Sequence, residues 1–404
     1  MSQADKIKEV LTRGVENIYP SGQALEKKLK SGQKIRLYCG FDPTAPVLHI
    51  GNAIQIRKLA QFQDLGHEVI FLLGDFTGMI GDPTDKRATR KKMTREELLK
   101  NTKNYKKQAG KILKFSGKNP AKILYNSQWG DKLSFRNLIE IASNFTVQQM
   151  LVRDMFQKRI AKKKPIYLHE FLYPLAQAYD SVAMEVDLEV GGNDQTFNML
   201  AGRDLIKAVK NKEKFVLTTK LLVDPAGQKM GKTEGKMVGL NAPANEMFGQ
   251  IMAWSDEVIG LALELCTDMP MAEVNQINQQ IKQGKINPRD AKARLAREIV
   301  SIHHSKPAAL KAEKEFNRVF KDKGKPTNIP IFKAKSGKIK MTDLLTESKL
   351  ASSKSKARRL IEQGGVKIDN KNIKDWQKQI AVKDGMVIQV GKRKFRRVRT
   401  VPLQ

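Results

Sequence analysis

The chain is poor in four things, and each scarcity narrows what it can be. Only two of its 404 residues are cysteine, Cys39 and Cys266, so no disulfide framework can hold it and an apolar core must, as befits a reducing compartment. No apolar run reaches the length of a signal peptide or a membrane-spanning helix, and the chain opens Met-Ser-Gln-Ala-Asp-Lys; the expected location is the cytoplasm, with no membrane partner. Acidic residues are outnumbered, 42 Asp+Glu against 74 Lys+Arg, and the resulting charge of +32 sets up a long-range field that attracts polyanions, nucleic acid first among them. Finally, there is no Gly-x-Gly-x-x-Gly, which excludes the dinucleotide-binding fingerprint.

What is present is ordinary for a globular protein, 40% hydrophobic and 29% charged residues, with length enough for two or three domains. The central stretch runs from Leu37 to Asn52: a short strand, a loop rich in Gly and Pro, and the start of a helix. Such a loop offers bare backbone N–H groups, and the helix behind it aims its positive dipole end at the same place, which suits a phosphate. Gly40 and Gly51 let a ligand lie against the backbone, Thr44 adds a hydroxyl, and His49 and Asn52 fall together on the first helical turn, offering two side-chain donors.

From Lys34 onward strands and helices alternate, after a lead-in over 1–33 that reads as helical. A strand over 35–39, a helix over 53–65 and a continuous apolar strand over 69–73 make a βαβ unit of a parallel sheet. Two more strands end in Gly-rich loops: 74–86, containing Asp82-Pro83, and 191–195 after a strand over 186–190. Open α/β sheets bind ligands at such strand ends, and there Gly192 and Asp194 suit a ribose. A helix expected to start at Pro174 puts Tyr173, Gln177 and Asp180 at i, i+4 and i+7, three polar groups on one face of an apolar helix. After a strand over 215–223, the loop around Lys229-Met230-Gly231-Lys232 has glycines on both sides and reads as mobile and cationic, able to close over a triphosphate.

Residues 131–165 are helical and basic, 244–320 a run of helices in which His303 and His304 are structural, and 321–340 a Lys- and Pro-bearing linker. From 341 onward 16 Lys+Arg stand against 6 Asp+Glu, with a basic helix stopped at Gly364-Gly365 and a closing run from Lys392 to Arg399.

His49-Ile50-Gly51-Asn52 and Lys229-Met230-Gly231-Lys232-Thr233 resemble, in order, the two signatures of class I aminoacyl-tRNA synthetases, and Tyr38-Cys39-Gly40-Phe41-Asp42-Pro43-Thr44 is similar to the bacterial tyrosine-specific members. The resemblance covers essentially the whole chain and implies a Rossmann-like α/β catalytic domain over 1–240 with a connective insertion near 110–165 carrying dimer and acceptor-arm contacts. A helical anticodon-side domain over 241–320 and an RNA-binding module over 341–404 of the kind first known from ribosomal protein S-four would follow.

It also implies roles. Tyr38, Asp82, Tyr173, Gln177, Asp180 and Gln195 would bind tyrosine, with Asp82 on its ammonium. Cys39, Gly40, Asp42, His49, Gly51, Asn52, Gly192, Asp194 and Lys232 would bind ATP. Thr44, His49 and Asn52 would meet the phosphates from one side, and Lys86, Arg90, Lys229, Lys232 and Thr233 from the other. Mg²⁺ would come with the triphosphate rather than occupy a metal site of the protein, and the partners would be tRNA(Tyr) and a second copy of the chain. Asn52 departs from the second His of the first signature, and Gly231 and Thr233 from the serines of the second. Two alternatives stay open: a tryptophan enzyme, which shares Asn at that position but has no need of Tyr38 and Asp180 for a phenol, and a non-catalytic RNA-binding or splicing protein on the same framework.

Overall fold

A computed structural model of the chain describes residues 2–83, 93–224, 226–227, 230, 237–320, 329–391 and 394–401. The chain divides into two compact units, Met1–Leu310 and Lys311–Gln404.

The first unit is built on a six-stranded sheet: β1 (Val15–Tyr19), β2 (Arg36–Phe41), β3 (Glu68–Leu73), β4 (Lys122–Tyr125), β5 (Leu188–Gly192) and β6 (Phe215–Thr219), in the order β1-β6-β5-β2-β3-β4. β2 to β6 run parallel and β1 is antiparallel to β6 at the edge. The apolar run of β3 is buried from Val69 to Leu73, as a strand covered on both faces requires. From β2 the chain steps to β3 on one side and later returns as β5 on the other, so the order reverses between β2 and β5. These two strands pair only at Leu37 with Leu188 and Tyr38 with Glu189, then part, and a crevice opens at their carboxyl ends.

Several elements differ from expectation. Residues 1–33 hold two helices, Gln3–Thr12 and Gly22–Lys30, with β1 between them. Gly14 makes the break: it sits at φ +64°, left-handed backbone that stops the first helix, and a Cβ there would lie 2.7 Å from Leu265. The helix expected to begin at Pro174 begins five residues earlier and runs His169–Ala183. Pro174 stands in its second turn, where the missing N–H forgoes only the bond to the Glu170 carbonyl. β6 stops at Thr219, leaving 220–222 free to line the crevice.

Residues 131–165 fold into the short helices Phe135–Ala142, Val147–Leu151 and Asp154–Ala161, the first two entered through capping boxes at Ser134 and Thr146. Beyond residue 240 come Ala244–Ile251, Ile259–Cys266, Met271–Lys282, Pro288–His303 and Lys306–Phe320. The Arg13 guanidinium reaches the end of the second of these, donating to the carbonyls of Glu264 at 2.9 Å and Thr267 at 2.6 Å.

The second unit contains β7 (Ile331–Lys335), β8 (Gly337–Lys340), β9 (Val366–Ile368), β10 (Lys371–Asn372), β11 (Gln379–Val382), β12 (Val387–Val390) and β13 (Lys394–Val401). They form a five-stranded sheet, β10-β9-β12-β13-β7, and a separate pair, β11-β8. Residues 331–340, expected to be linker, are therefore strands: β7 lies parallel to β13 and β8 antiparallel to β11, supplying edges that the lysine-rich sequence does not advertise. Helices Met341–Glu347 and Lys354–Glu362 cover a core of Met341, Leu344, Leu345, Ala357, Ile361 and Ile388. The second is capped by Ser353, which accepts the Lys356 N–H, and stopped by Gly364 at φ +68°.

Candidate active site

The crevice between β2 and β5 widens into a cavity of about 260 Å³. Its wall includes Tyr38, Cys39, Gly40, Asp42, Thr44, His49, Gly51 and Asn52 from the first strand-loop-helix, Asp82 from the loop after β3, Tyr173, Gln177 and Asp180 from helix His169–Ala183, and Gly192, Asp194 and Gln195 after β5. Lys86, Arg90, Lys229, Lys232 and Thr233 lie outside the described residues, as does the question of that loop's mobility.

One end of the cavity is deep. Tyr38 and Asp180 are both buried there. The Asp180 carboxyl receives the indole N–H of Trp129 on Oδ1 at 2.7 Å and the Asn126 amide on Oδ2 at 3.2 Å. Burial pushes this carboxyl well above the usual range, while the two N–H donors work against it by favouring the charged form. The Tyr38 phenol is also raised by burial, so it keeps its proton; its oxygen lies 3.1 Å from Ser181 Oγ.

Toward the middle, Asp42 at the end of β2 accepts from Thr77 Oγ1 at 2.6 Å and from the Tyr173 hydroxyl at 2.8 Å. Gly74 makes this possible, since a Cβ there would stand 1.9 Å from Asp42 Oδ1. Burial, then the Asp42 and Asp82 carboxylates, raise the Tyr173 phenol well above its ordinary value. Gln195 ties two strand-end loops together: its Nε2 donates to Asp82 Oδ2 at 2.8 Å and its Oε1 accepts from Asn198 at 2.8 Å. Gln177 Nε2 donates to Glu189 Oε1 at 3.0 Å, and Glu189 in turn pairs with Lys214.

At the open end the Pro-bearing loop after β2 is held from outside. Asn101 donates to the Pro43 carbonyl at 2.8 Å, Tyr105 to Ala45 at 2.5 Å, and Gln108 accepts the Leu48 N–H at 2.9 Å. Asn52 caps its own helix, its Oδ1 accepting the His49 backbone N–H at 3.0 Å, which leaves the Nδ2 group as its donor. The His49 ring lies against Gly51, where a Cβ would be 3.0 Å from Nδ1 and Cε1. The Ile50 N–H donates to Val238 O at 2.9 Å and the Leu240 N–H to Leu48 O at 2.8 Å, bridging the first signature to the chain just beyond the second. Met230, within the second signature, is buried and donates its N–H to the carbonyl of Leu222, a cavity residue, at 2.9 Å.

Sequence reasoning passed over Thr77, Asn126, Trp129, Ser181, Glu189 and Lys214. Asn126 and Trp129 follow β4 and so obey the strand-end rule already applied to its neighbours. Glu189 carried a signal of its own, a charge inside a strand of Leu, Val and Gly.

Residues 30–321 match the family described as tRNA synthetases class I (W and Y), and residues 320–398 the tyrosine–tRNA ligase SYY-like C-terminal domain. The chain is 46% identical to the tyrosine–tRNA ligase of Haemophilus ducreyi over 96% of both chains. It is 42% identical to that of Moorella thermoacetica over 97% of this chain and 95% of the relative. The chain belongs to the class I aminoacyl-tRNA synthetases, among the tyrosine–tRNA ligases. Among solved structures, a C-terminally truncated mitochondrial tyrosyl-tRNA synthetase of Aspergillus nidulans aligns with this synthetase at a TM-score of 0.63, covering 79% of this chain and 94% of that one; at 22% identity the likeness speaks for the fold. No helix among the described residues is long and apolar enough to cross a membrane.

Proposed function

We propose that the cavity holds L-tyrosine lengthwise, phenol group at Tyr38 and Asp180 in the deep end, ammonium group among Asp82, Tyr173 and Gln177, and carboxylate turned toward ATP at the Cys39–Asn52 loop. The observation that carries this is the cavity's polarity: a buried phenol and a buried carboxyl at one end, three polar groups from two different elements in the middle, and a glycine-lined helix start at the mouth. An indole would leave Asp180 and Tyr38 without a hydroxyl to read.

The reaction of this enzyme is tyrosine–tRNA ligation, with ATP as a substrate. In the proposed course a tyrosine carboxylate oxygen attacks the α-phosphorus of ATP and the bond to pyrophosphate breaks, giving tyrosyl-adenylate. A ribose hydroxyl at the 3′ end of tRNA(Tyr) then attacks the tyrosyl carbonyl carbon and AMP leaves. The nucleophile is ionised already, so the protein supplies position and charge rather than a base. Thr44, His49 and Asn52 meet the phosphates from one side and Lys86, Arg90, Lys229, Lys232 and Thr233 from the other; Gly192 and Asp194 take the ribose, and Mg²⁺ enters on the triphosphate.

The second copy of the chain is assigned to the apolar surface on 135–168, where Phe135 is 78% and Leu168 80% exposed beside Ile139, Val147 and Val152. The exposed cations of 341–404 are assigned to tRNA, helices 241–320 to the anticodon side, and the cytoplasm to the enzyme's place of work.

Pyrophosphate exchange with a panel of amino acids tests the pocket. Tyrosine is expected to support exchange far better than phenylalanine or tryptophan, and Tyr38→Phe to narrow the gap to phenylalanine. A site built around a hydroxyl rejects the analogue lacking it because its own buried groups go unpaired, a principle for which this enzyme family is the standard example. Tryptophan exchanging as well as tyrosine would overturn the reading.

A further inference from the structure

At the inner wall of the cavity lies a buried group of polar side chains, of which Glu189 lines the cavity while Lys214 and Ser181 stand behind it. Lys214, one residue before β6, is 0% exposed, Ser181 0% and Glu189 2%. The Lys214 ammonium donates to Ser181 Oγ at 2.7 Å and forms an ion pair with Glu189. Room for it is made by Gly202 on helix Thr196–Lys210, where a Cβ would stand 2.7 Å from the ammonium and 2.8 Å from Ser181 Oγ. Burial works to strip the proton from Lys214, and the Glu189 carboxylate opposes it. A buried ion pair of this kind is seldom worth its desolvation as a source of stability alone. Its position supplies another use: Glu189 lines the cavity and takes the Gln177 amide, and Lys214 takes Ser181, which in turn reaches Tyr38 on the cavity wall.

The geometry points to Lys214 and Glu189 as positioning residues that set the direction of the hydrogen bonds reading the two ends of tyrosine; this rests on the tyrosine-binding reading of the cavity. An ammonium can only donate, and a carboxylate carrying N–H donors on both oxygens is presented as an acceptor. Between these fixed ends stand three hydroxyls, those of Ser181, Tyr38 and the substrate. Lys214 occupies a lone pair of Ser181 Oγ, so the Ser181 hydrogen is free to point to the Tyr38 oxygen 3.1 Å away. With tyrosine bound, Tyr38 turns its own hydrogen away from Glu189, which also hydrogen-bonds it, and outward to the substrate phenol oxygen, and the substrate hydrogen goes to Asp180. Every hydroxyl in the row donates in the same sense, an arrangement in which each bond polarises and strengthens the next.

Glu189 also orients the ammonium end. Glu189 can only accept, so it draws the NH₂ side of the Gln177 amide to itself at 3.0 Å. The Gln177 carbonyl oxygen is thereby turned to the side away from Glu189, an acceptor aimed where a substrate ammonium needs one. Exchange of the Glu189 carboxylate for an amide would remove that compulsion and let Gln177 turn over.

Three variants of the full-length enzyme test this by pyrophosphate exchange: Ser181→Ala, which leaves the ion pair intact, Lys214→Met and Glu189→Gln. Ser181→Ala and Lys214→Met are expected to raise KM for tyrosine about ten- to hundredfold with kcat within a few fold, as the loss of one charge-assisted hydrogen bond implies. KM for ATP and the weak use of phenylalanine should stay within about twofold, so the preference for tyrosine over phenylalanine falls by the same factor. Their double variant should do little more than either alone, because both cut one row. Glu189→Gln should raise KM for tyrosine and phenylalanine together, since both carry the ammonium. Thermal unfolding accompanies each assay. If the native enzyme prefers tyrosine while Ser181→Ala, stably folded, keeps the tyrosine-to-phenylalanine ratio unchanged, the oriented row is wrong and the cavity reading stands. If the native enzyme does not prefer tyrosine at all, both fall.

Discussion

The two units treat their cations in opposite ways. In the first, Arg13, Lys58, Arg153, Lys214 and Lys292 are buried, and the lysines among them have fixed partners: Lys58 donates to the carbonyls of Val10 and Arg13 at 2.7 and 2.9 Å, and Lys292 to that of Trp254 at 2.6 Å. Among the described residues of the second unit no lysine or arginine is buried, although the unit is far richer in them than in acids. A buried cation cannot act at a distance without first paying desolvation, so it works as a geometric device, fixing which way a neighbour points. An exposed one does the reverse: even where it pairs at the surface, as Lys354 does with Asp343 at 2.7 Å, it stays solvated and acts through a field that salt screens within about 10 Å at 0.1 M. Reading a small amino acid calls for the first kind of charge, and gathering a long polyanion for the second.

The sharpest way to break this comparison is to remove the second unit beyond helix Lys306–Phe320. A chain ending at residue 320 is expected to activate tyrosine within about twofold of the full-length enzyme while its charging of tRNA falls about a thousandfold at moderate salt, and the steep loss of tRNA affinity with added salt should flatten. Parallel exchange and aminoacylation assays measure both. A truncated enzyme that charges tRNA normally would mean the exposed cations do not serve RNA.

A smaller effect separates the units by pH. All five histidines lie in the first unit, and the His303 ring is so placed that burial, with Arg57 next, brings its pKa from 6.5 down to about 4. Between those values the unfolded chain takes up a proton that the folded one refuses, so stability falls as pH falls from 6.5 to 4, and above 6.5 the contribution vanishes. The shift corresponds to about 3 kcal/mol at the acid end. Denaturant unfolding of His303→Leu beside the native enzyme should show the difference shrinking across that window; parallel pH profiles would remove His303 from the account.

The smallest effect concerns one exposed charge. Lys356→Ala, in the first turn of helix Lys354–Glu362, is expected to weaken tRNA binding only two- to fivefold and to reduce the slope of log affinity against log salt by about 0.7 to 0.9, without touching tyrosine activation. Binding titrations at three salt concentrations would reveal an unchanged slope if Lys356 meets no phosphate.

Much of the first unit could be read from the chain because its rules are local. The apolar run over 69–73, the Gly loops at strand ends and the i, i+4, i+7 spacing of Tyr173, Gln177 and Asp180 each lie within a dozen residues, and the structure has them as β3, the cavity rim and one helix face. What escaped reading depends on partners far away. β1 exists because β6, two hundred residues on, offers an edge, and 331–340 are strands because β13 and β11 come back to them. Glu189 could be flagged as odd, but nothing near Lys214 says that its ammonium ends up beside Ser181. Pro174 misled for the opposite reason: a local rule about proline gave way to a helix with enough turns on either side to spare one bond.

The bridge between His49 and Gly239 has a meaning for how the enzyme is made. The turn that presents the first signature is clasped by chain that follows it by 190 residues, the difference between those two positions. A polypeptide growing on the ribosome therefore carries a strand, loop and helix of the right sequence long before it has the strap that steadies them, and the Lys214 that orders the pocket also arrives late. The clasp on the first signature closes only once the segment around residue 240 has emerged, with the second unit still to come.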